Sequence, residues 1–144
     1  MLTKTVTYED YDGNTRREEL HFFISKTELA EMEVTTPGGF AKKLENISTS
    51  ANGAEIMAIF KEIILKAYGE KSEDGRSFIK KRNGVRLADN FEQSLAFDAI
   101  FTELLMNPDK AAAFLNGIMP KDIMEEANRL NAQAKTSGLP SGNN

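Results

Sequence analysis

The residue with the clearest chemical potential in this sequence is His21, the one histidine among 144 residues. The chain has no cysteine, so a zinc site would have to combine a single histidine with carboxylates, which is an unusual set of ligands. No serine stands in a Gly-x-Ser-x-Gly sequence, the strained turn that exposes the nucleophile of many hydrolases. The sequence therefore favours a strand histidine that faces solvent or a satisfied polar neighbour.

The segment from Asp10 to Asn14 begins like a calcium-binding EF-hand loop, with acidic or amide side chains at alternate positions. The pattern fails later, because Thr15 stands where the sharp turn needs glycine and His21 stands where a bidentate glutamate is needed. The same segment has the composition of a tight turn that tolerates positive φ. We therefore interpret it as the turn of a β-hairpin.

Two other patterns also lack what their chemistry requires. The segment from Gly69 to Ser77 contains two glycines but no Gly-Lys-Ser/Thr sequence to hold a phosphate. Glu125 and Glu126 are adjacent, so on a helix they point to different faces and cannot easily act together as acid and base. An enzyme is therefore the least favoured class, and we expect no catalytic residue, cofactor or metal.

The charge of the chain limits its partners. It has 18 basic and 22 acidic side chains, a net charge of −4, which gives no extended basic face for nucleic acid apart from a local patch at Lys80, Lys81 and Arg82. The longest apolar run is interrupted by Lys61 and Glu62, so no membrane span is expected. The first residues lead directly into strand-like alternation, so no signal peptide is expected. Together with the lack of cysteine, these features fit a cytosolic protein.

The elements that would position any site are predicted to surround one central helix, from Asn52 to Gly69. Asn52 and Glu55 form a capping-box-like start, and Gly69 can take the left-handed conformation that ends a helix. Ile59 and Leu65 fall outside the main apolar stripe. That stripe consists of Ile56, Phe60, Ile63 and Ala67, widened by Met57 and Ile64.

The other elements give a mainly α (α+β) fold, in which an N-terminal β-hairpin packs on a bundle of about five to six helices. The hairpin strands are predicted at residues 2–9 and 15–24, and a capping box at Ser25 and Glu28 begins the first short helix. Further helices are predicted from Phe40, from Asp89 to about Met106, from residue 108 to 118 and from 121 to about 134. We expect one globular domain over residues 1–134, divided into hairpin (2–24) and helical (25–134) parts, followed by a disordered tail at 135–144.

The segment between Gly69 and Asp89 is the least regular part of the pattern. It contains turn signals at residues 74–75 and 83–84. Phe78 and Ile79 are expected to fix this loop to the core, whereas the three basic residues that follow are expected to face solvent.

Three stretches of this chain resemble a known family. They are FKEIILKAYGEKSEDGRSFIKK at residues 60–81, FEQSLAFDAIFTELLMNPDKAAAFLNGIMP at residues 91–120, and VTYEDYDGNTRREELHFFIS in the hairpin. The sequence resembles the tail assembly chaperones of long-tailed siphophages and related prophages of Gram-positive hosts, over roughly residues 4 to 120. Residues 81–86 depart from that pattern, so the resemblance carries no binding residue over to them.

The resemblance implies a non-enzymatic protein of the host cytoplasm that is absent from the mature virion. It implies binding to the phage tape measure protein and help for tail tube proteins that polymerise around it. Further implied partners are other copies of this chain and a longer frameshifted product, whose sequence would differ from this chain after Pro120. A virion structural subunit, such as a head-tail connector or tail terminator, is the alternative.

Partner-binding residues are expected where the apolar anchors to a core are sparse, in the Gly69 to Asp89 loop and the C-terminal helices. For the apolar residues of those helices, core packing is the competing interpretation. The candidates are Phe78, Ile79, Phe114, Ile118, Ile123, Met124 and Leu130.

Overall fold

A computed structural model describes residues 1–43 and 53–120, and its first feature is the predicted hairpin. Strand β1 (Leu2–Glu9) pairs antiparallel with β2 (Thr15–Phe22) along its whole length. In the turn, the Asp10 carboxylate accepts hydrogen bonds from the backbone N–H groups of Asp12 and Asn14, each at 2.9 Å. The Arg16 side chain also donates to it at 2.6 Å, and with the turn amides it holds the pKa of Asp10 below its usual value. This carboxylate thus organises a turn, as predicted in place of a calcium loop.

The hairpin is extended into a four-stranded antiparallel sheet by residues that the sequence marked as irregular. Strand β3 (Tyr68–Lys71) pairs with β2, and β4 (Phe78–Ile79) pairs with β3, so the strand order is β1-β2-β3-β4. Strands β5 (Lys81–Arg82) and β6 (Val85–Arg86) form a separate two-stranded sheet. The two predicted turns, at residues 74–75 and 83–84, are present. The short strands beside them were not predicted, because a strand of two residues cannot show the alternation of apolar and polar side chains that indicates a strand.

The first two helices lie on either side of residues 44–52, which the structure does not describe. Helix α1 (Lys26–Thr35) begins with the predicted capping box, in which Ser25 Oγ accepts from Glu28 N–H at 3.2 Å and Glu28 Oε1 accepts from Ser25 N–H at 2.9 Å. Residues 40–43 form a helical turn at the start of the second predicted helix. Helix α2 (Gly53–Ala67) is the predicted central helix, although its expected cap at residue 52 lies outside the described residues.

The predicted helix from Asp89 to Met106 is wrong in one respect, because the chain breaks there into two helices. Helix α3 (Leu87–Glu92) ends before Ser94, and α4 (Leu95–Met106) begins after it. Ser94 Oγ accepts from the Phe97 N–H at 3.2 Å, so Ser94 is the cap of the longer helix and Asp89 is not. Helix α5 (Pro108–Ile118) begins at the predicted residue, with proline in its first turn, and the Asn107 side chain caps it by accepting from the Lys110 N–H at 3.3 Å.

These elements confirm a mainly helical α+β protein with an N-terminal hairpin. The predicted helix at 121–134 and the predicted tail at 135–144 lie outside the described residues. The boundaries of a single domain remain a prediction.

The core joins the sheet to the helices through Phe22, which is completely buried. Its ring meets those of Tyr68, Phe91 and Phe114 edge to face, at centroid distances of 5.8, 6.0 and 5.1 Å. Tyr68 also stacks on Phe91 at 4.0 Å. Such pairs add roughly 0.5 to 1.5 kcal/mol each to the area they bury, so this cluster ties β2 and β3 to α3 and α5.

The central helix presents a slightly different face from the predicted one. Ile63, Ile64 and Ala67 are buried as expected. Ile59 is buried although it was placed outside the stripe, and Met57 is 46% exposed although it was placed within it. The buried row therefore consists of residues 59, 63 and 67, spaced four apart. Side chains at this spacing form a ridge along the helix that packs against a neighbouring element.

Gly69 does not end the central helix as predicted. The helix ends at Ala67, the chain passes directly into β3, and Gly69 pairs with His21 in the sheet. A Cβ atom at residue 69 would lie 2.5 Å from Phe78 Cε2 and 2.9 Å from the Ile79 carbonyl oxygen. Glycine is required here for a close approach between β3 and β4 and not for a left-handed turn.

Candidate partner-binding surface

The structure separates the seven predicted partner-binding residues into three groups. Phe78 and Ile79 lie half-buried on β4. Phe114 and Ile118 are 2% and 0% exposed, so their side chains fill the core, and a direct contact with a partner would require α5 to leave the sheet. Ile123, Met124 and Leu130 lie outside the described residues. The structure therefore does not bring the seven together, and their role in binding stays a prediction.

Phe78 fixes the segment after β3 to the rest of the protein, as the sequence predicted. Its ring packs edge to face against Phe23 at a centroid distance of 6.3 Å. It also fills the space that the missing side chain of Gly69 leaves free. On its other side the Lys80 ammonium lies 5.5 Å from the ring centroid, within the range of a cation–π contact.

Lys80 was expected to face solvent, and that prediction is wrong. Its Nζ donates to the Phe23 carbonyl at 2.9 Å and to the Lys66 carbonyl at 2.5 Å, and it lies 3.1 Å from the Glu28 carboxylate. The side chain thus joins the residue that follows β2, the last turn of α2 and the start of α1. A cation at the C-terminal end of a helix also interacts favourably with the helix dipole.

The pKa values of this ion pair reflect its partial burial. Burial lowers the pKa of Lys80, against the opposing effect of the Glu28 charge. Burial acts to raise the pKa of Glu28, but the hydrogen bond from the Ser25 N–H and the nearby ammonium outweigh it, so this pKa lies below its usual value. Glu28 therefore remains ionised at neutral pH while it caps α1 and holds Lys80.

The anchored Lys80 carries a short exposed hairpin that is formed by β5 and β6. Asn83 and Gly84 have φ values of 54° and 78°, the pattern of a type I′ turn, which matches the twist of two-residue hairpins. The Leu87 N–H donates to the Lys80 carbonyl at 2.9 Å and closes the hairpin at its base. In this register Lys81 stands opposite Arg86.

Basic side chains concentrate in this part of the chain. Residues 75–88 include five lysines and arginines and no acidic residue, whereas the other 130 residues carry 13 basic and 22 acidic side chains. Lys80 is paired with Glu28, and Arg82 is paired with Glu70 at 3.0 Å. Within residues 1–43 and 53–120, Lys81 and Arg86 have no ion-pair partner.

A pocket of about 250 Å³ lies between this hairpin and the end of α2. Its apolar wall consists of Leu65, Tyr68 and Ala88, and Glu28 is its one acidic residue. We call it the cationic pocket, because its remaining lining residues are Lys66, Lys80, Lys81 and Arg86.

The signals for this surface were visible in the sequence, but they were read separately. The basic run and the Asn83-Gly84 turn were both noted there. The basic run and the turn form one charged hairpin because Lys80 fixes the base of that hairpin. The carbonyl groups that accept from Lys80, at Phe23 and Lys66, are 57 and 14 residues away from it in the sequence. No local pattern could have indicated those contacts.

His21 has the structural role that was predicted. It is half-buried on β2, and its Nδ1 lies 3.2 Å from the Thr3 hydroxyl on β1. Across residues 1–43 and 53–120, no group of three or more histidines, cysteines or carboxylates is arranged to hold a metal ion. In the same residues, no helix is long and apolar enough to cross a membrane.

These features define a small α+β protein with a charged surface pocket. The family model described as phage tail assembly chaperone matches residues 1–141, nearly the entire sequence. The chain therefore belongs to the phage tail assembly chaperone family. Neither the curated proteins nor the solved structures gave a match.

Proposed function

We propose that this protein is a non-enzymatic chaperone that binds the phage tape measure protein in the host cytoplasm and promotes assembly of the tail tube around it. The observation that carries this proposal is the family match over residues 1–141. A tape measure protein is long and helical, so it exposes apolar stripes before the tube encloses it. A chaperone can cover such stripes reversibly with its own apolar surface.

Exposed apolar side chains support the proposal. Val34 and Met106 are 82% and 83% exposed, and Leu105 beside Met106 is also exposed. Large apolar residues in water are available to bury surface against a partner, at roughly 25 cal/mol for each Å² removed from water. Val34 is on α1, whereas Leu105 and Met106 end α4, so more than one element could contact a client.

Co-expression with the tape measure protein of the same phage tests the proposal. We expect the chaperone to increase the soluble fraction of the tape measure protein and to co-purify with it. No gain in solubility together with no co-purification would contradict the proposed function.

Two aspartate substitutions separate scaffold from binding surface. Ile63 is 1% exposed, so Ile63→Asp places a charge in the core and should unfold the protein. Leu130→Asp should leave the circular dichroism spectrum unchanged and reduce capture of the tape measure protein. If Leu130→Asp also unfolded the protein, the C-terminal segment would be part of the scaffold.

Mass spectrometry of purified phage particles tests the proposed location. A chaperone that acts only during assembly should be absent from the particle. A fixed number of copies per particle would instead identify a structural subunit such as a head-tail connector or tail terminator.

A further inference from the structure

The starting point is a local conflict in the β5–β6 hairpin. Lys81 and Arg86 are directly opposite each other, and like charges at opposite positions of an antiparallel pair disfavour the pairing. No acidic residue in the described parts of the chain pairs with either of them. Proteins keep such locally unfavourable arrangements mainly where function requires them.

The hairpin that carries these charges is held in a fixed position. Its Asn83-Gly84 turn has the geometry that suits a two-residue loop, and the Lys80–Leu87 hydrogen bond closes its base. Lys80 is in turn held by three groups on different elements. The backbone that carries these charges is therefore already in place, so a ligand has to order only the side chains of the cationic pocket and not the loop itself.

We propose that the cationic pocket and the β5–β6 hairpin bind an acidic segment of a partner protein, with Lys81 and Arg86 contacting its carboxylates. The Arg86 guanidinium can receive a carboxylate through two parallel hydrogen bonds, and Lys81 supplies a second charge across the strand pair. Lys66 also lines the pocket. The identity of this partner rests on the proposed function, which makes it the tape measure protein.

The lining of the pocket favours a peptide over a nucleic acid. Leu65, Tyr68 and Ala88 give it an apolar wall that can receive the aliphatic part of a glutamate side chain or a neighbouring apolar residue. The rest of the chain has an excess of nine acidic side chains, which would repel any polyanion that extends beyond the pocket and so favour a short acidic segment over a long nucleic acid.

Titration of the ¹⁵N-labelled protein with a hexaglutamate peptide tests the site directly. The largest chemical-shift changes should fall on the amides of residues 66, 81 and 86 and should saturate. The double variant Lys81→Gln/Arg86→Gln should bind the peptide roughly tenfold more weakly, the effect expected from losing two exposed charge contacts. Shift changes distributed over all exposed cations would overturn the proposal.

A control matched for charge comes from Arg17 and Arg76, which are exposed and lie outside the cationic pocket. The double variant Arg17→Gln/Arg76→Gln removes the same two charges and should change the dissociation constant less than twofold. Equal losses in the two double variants would show a net-charge effect and overturn the proposal. Tighter binding of an oligothymidylate with six phosphates in the same pocket would overturn it in favour of nucleic acid.

Co-purification with the tape measure protein separates this inference from the proposed function. We expect the wild type and Arg17→Gln/Arg76→Gln to retain the client and Lys81→Gln/Arg86→Gln to lose most of it. If all three proteins retain it equally, the pocket proposal is wrong and the proposed function stands. If none retains it while hexaglutamate still binds the pocket, the proposed function fails and the carboxylate site stands.

Loss of self-association in the pocket variant, measured by sedimentation, would make a second copy the occupant and contradict the assignment to the client.

Discussion

Replacing Lys80 with methionine tests whether one partly buried ammonium holds the end of β2, helix α1, the central helix and the charged hairpin together. Methionine keeps a side chain of similar length and removes the charge. Three acceptors lose their donor: the carbonyls of Phe23 and Lys66 and the carboxylate of Glu28. Hydrogen bonds to charged groups contribute roughly 1.5 to 3 kcal/mol each, which sets an upper limit of several kcal/mol.

The net loss is smaller than that limit for two reasons. The Lys80 side chain keeps 28% of its surface exposed, so water can replace part of what is lost. The variant also avoids the cost of partly desolvating an ammonium. We therefore expect Lys80→Met to lower the free energy of unfolding by about 2 to 3 kcal/mol, which corresponds to a melting temperature roughly 6 to 12 °C lower.

Urea and thermal unfolding followed by circular dichroism measure this loss, with Lys81→Met as the control. Lys81 is exposed and has no ion-pair partner in the described residues, so its variant should lie within about 0.5 kcal/mol of the wild type. If the two variants had equal stability, Lys80 would not be the anchor described above.

A second readout follows from Glu28. Its pKa in the folded protein lies below the ordinary 4.5, so its contribution to stability is present above that pH and is lost as the pH falls through the lower folded value. Lys80→Met removes one of the groups that lower this pKa. The acid loss of stability should therefore be smaller in the variant than in the wild type, and it should be complete at a higher pH.

Three further predictions concern single positions. Gly69→Ala should lower the free energy of unfolding by about 1 to 3 kcal/mol, because the added methyl group overlaps the Phe78 ring; urea unfolding measures it. Burial, followed by a hydrogen bond to a glutamate, raises the pKa of Tyr8 to about 12, so the folded state holds this proton more tightly and stability should fall as the pH rises from 10 towards 12; Tyr8→Phe should reduce that fall. Lys81→Glu replaces repulsion of Arg86 by attraction and should raise stability by about 0.2 to 1 kcal/mol while it abolishes hexaglutamate binding.

Each of these has its own control. Gly53 begins α2 with open space around it, so Gly53→Ala should be neutral or stabilising, and an equal loss at both glycines would contradict the close-approach argument. Glu18 is the acceptor for Tyr8, at 2.7 Å, and Glu18→Gln should also weaken the alkaline loss of stability. If Lys81→Glu were destabilising, the cross-strand repulsion would not exist.

Features that depend on neighbouring residues were predictable from the sequence. The Asp10 to Asn14 turn, the Ser25 capping box and the Asn107-Pro108 helix start each involve groups within a few residues of one another. Their side chains compete for nearby backbone groups whatever the rest of the fold does. These elements, and the fold class that they imply, are confirmed.

Features that depend on distant residues were not predictable. The role of Gly69 is set by the approach of β4, and the row of α2 that is buried is set by the elements packed on it. Lys80 looked like one member of a solvated basic run, because its acceptors belong to other elements. The sequence therefore showed the basic composition of the charged hairpin but not the pocket that this hairpin lines.

We propose that this member of the family acts by binding the tape measure protein. The most direct measurement is the amount of tape measure protein that co-purifies from cells expressing both proteins, compared with cells expressing the tape measure protein alone. We expect a soluble complex of the two proteins, and little soluble tape measure protein without the chaperone. Equal solubility in both cells and no complex would contradict it.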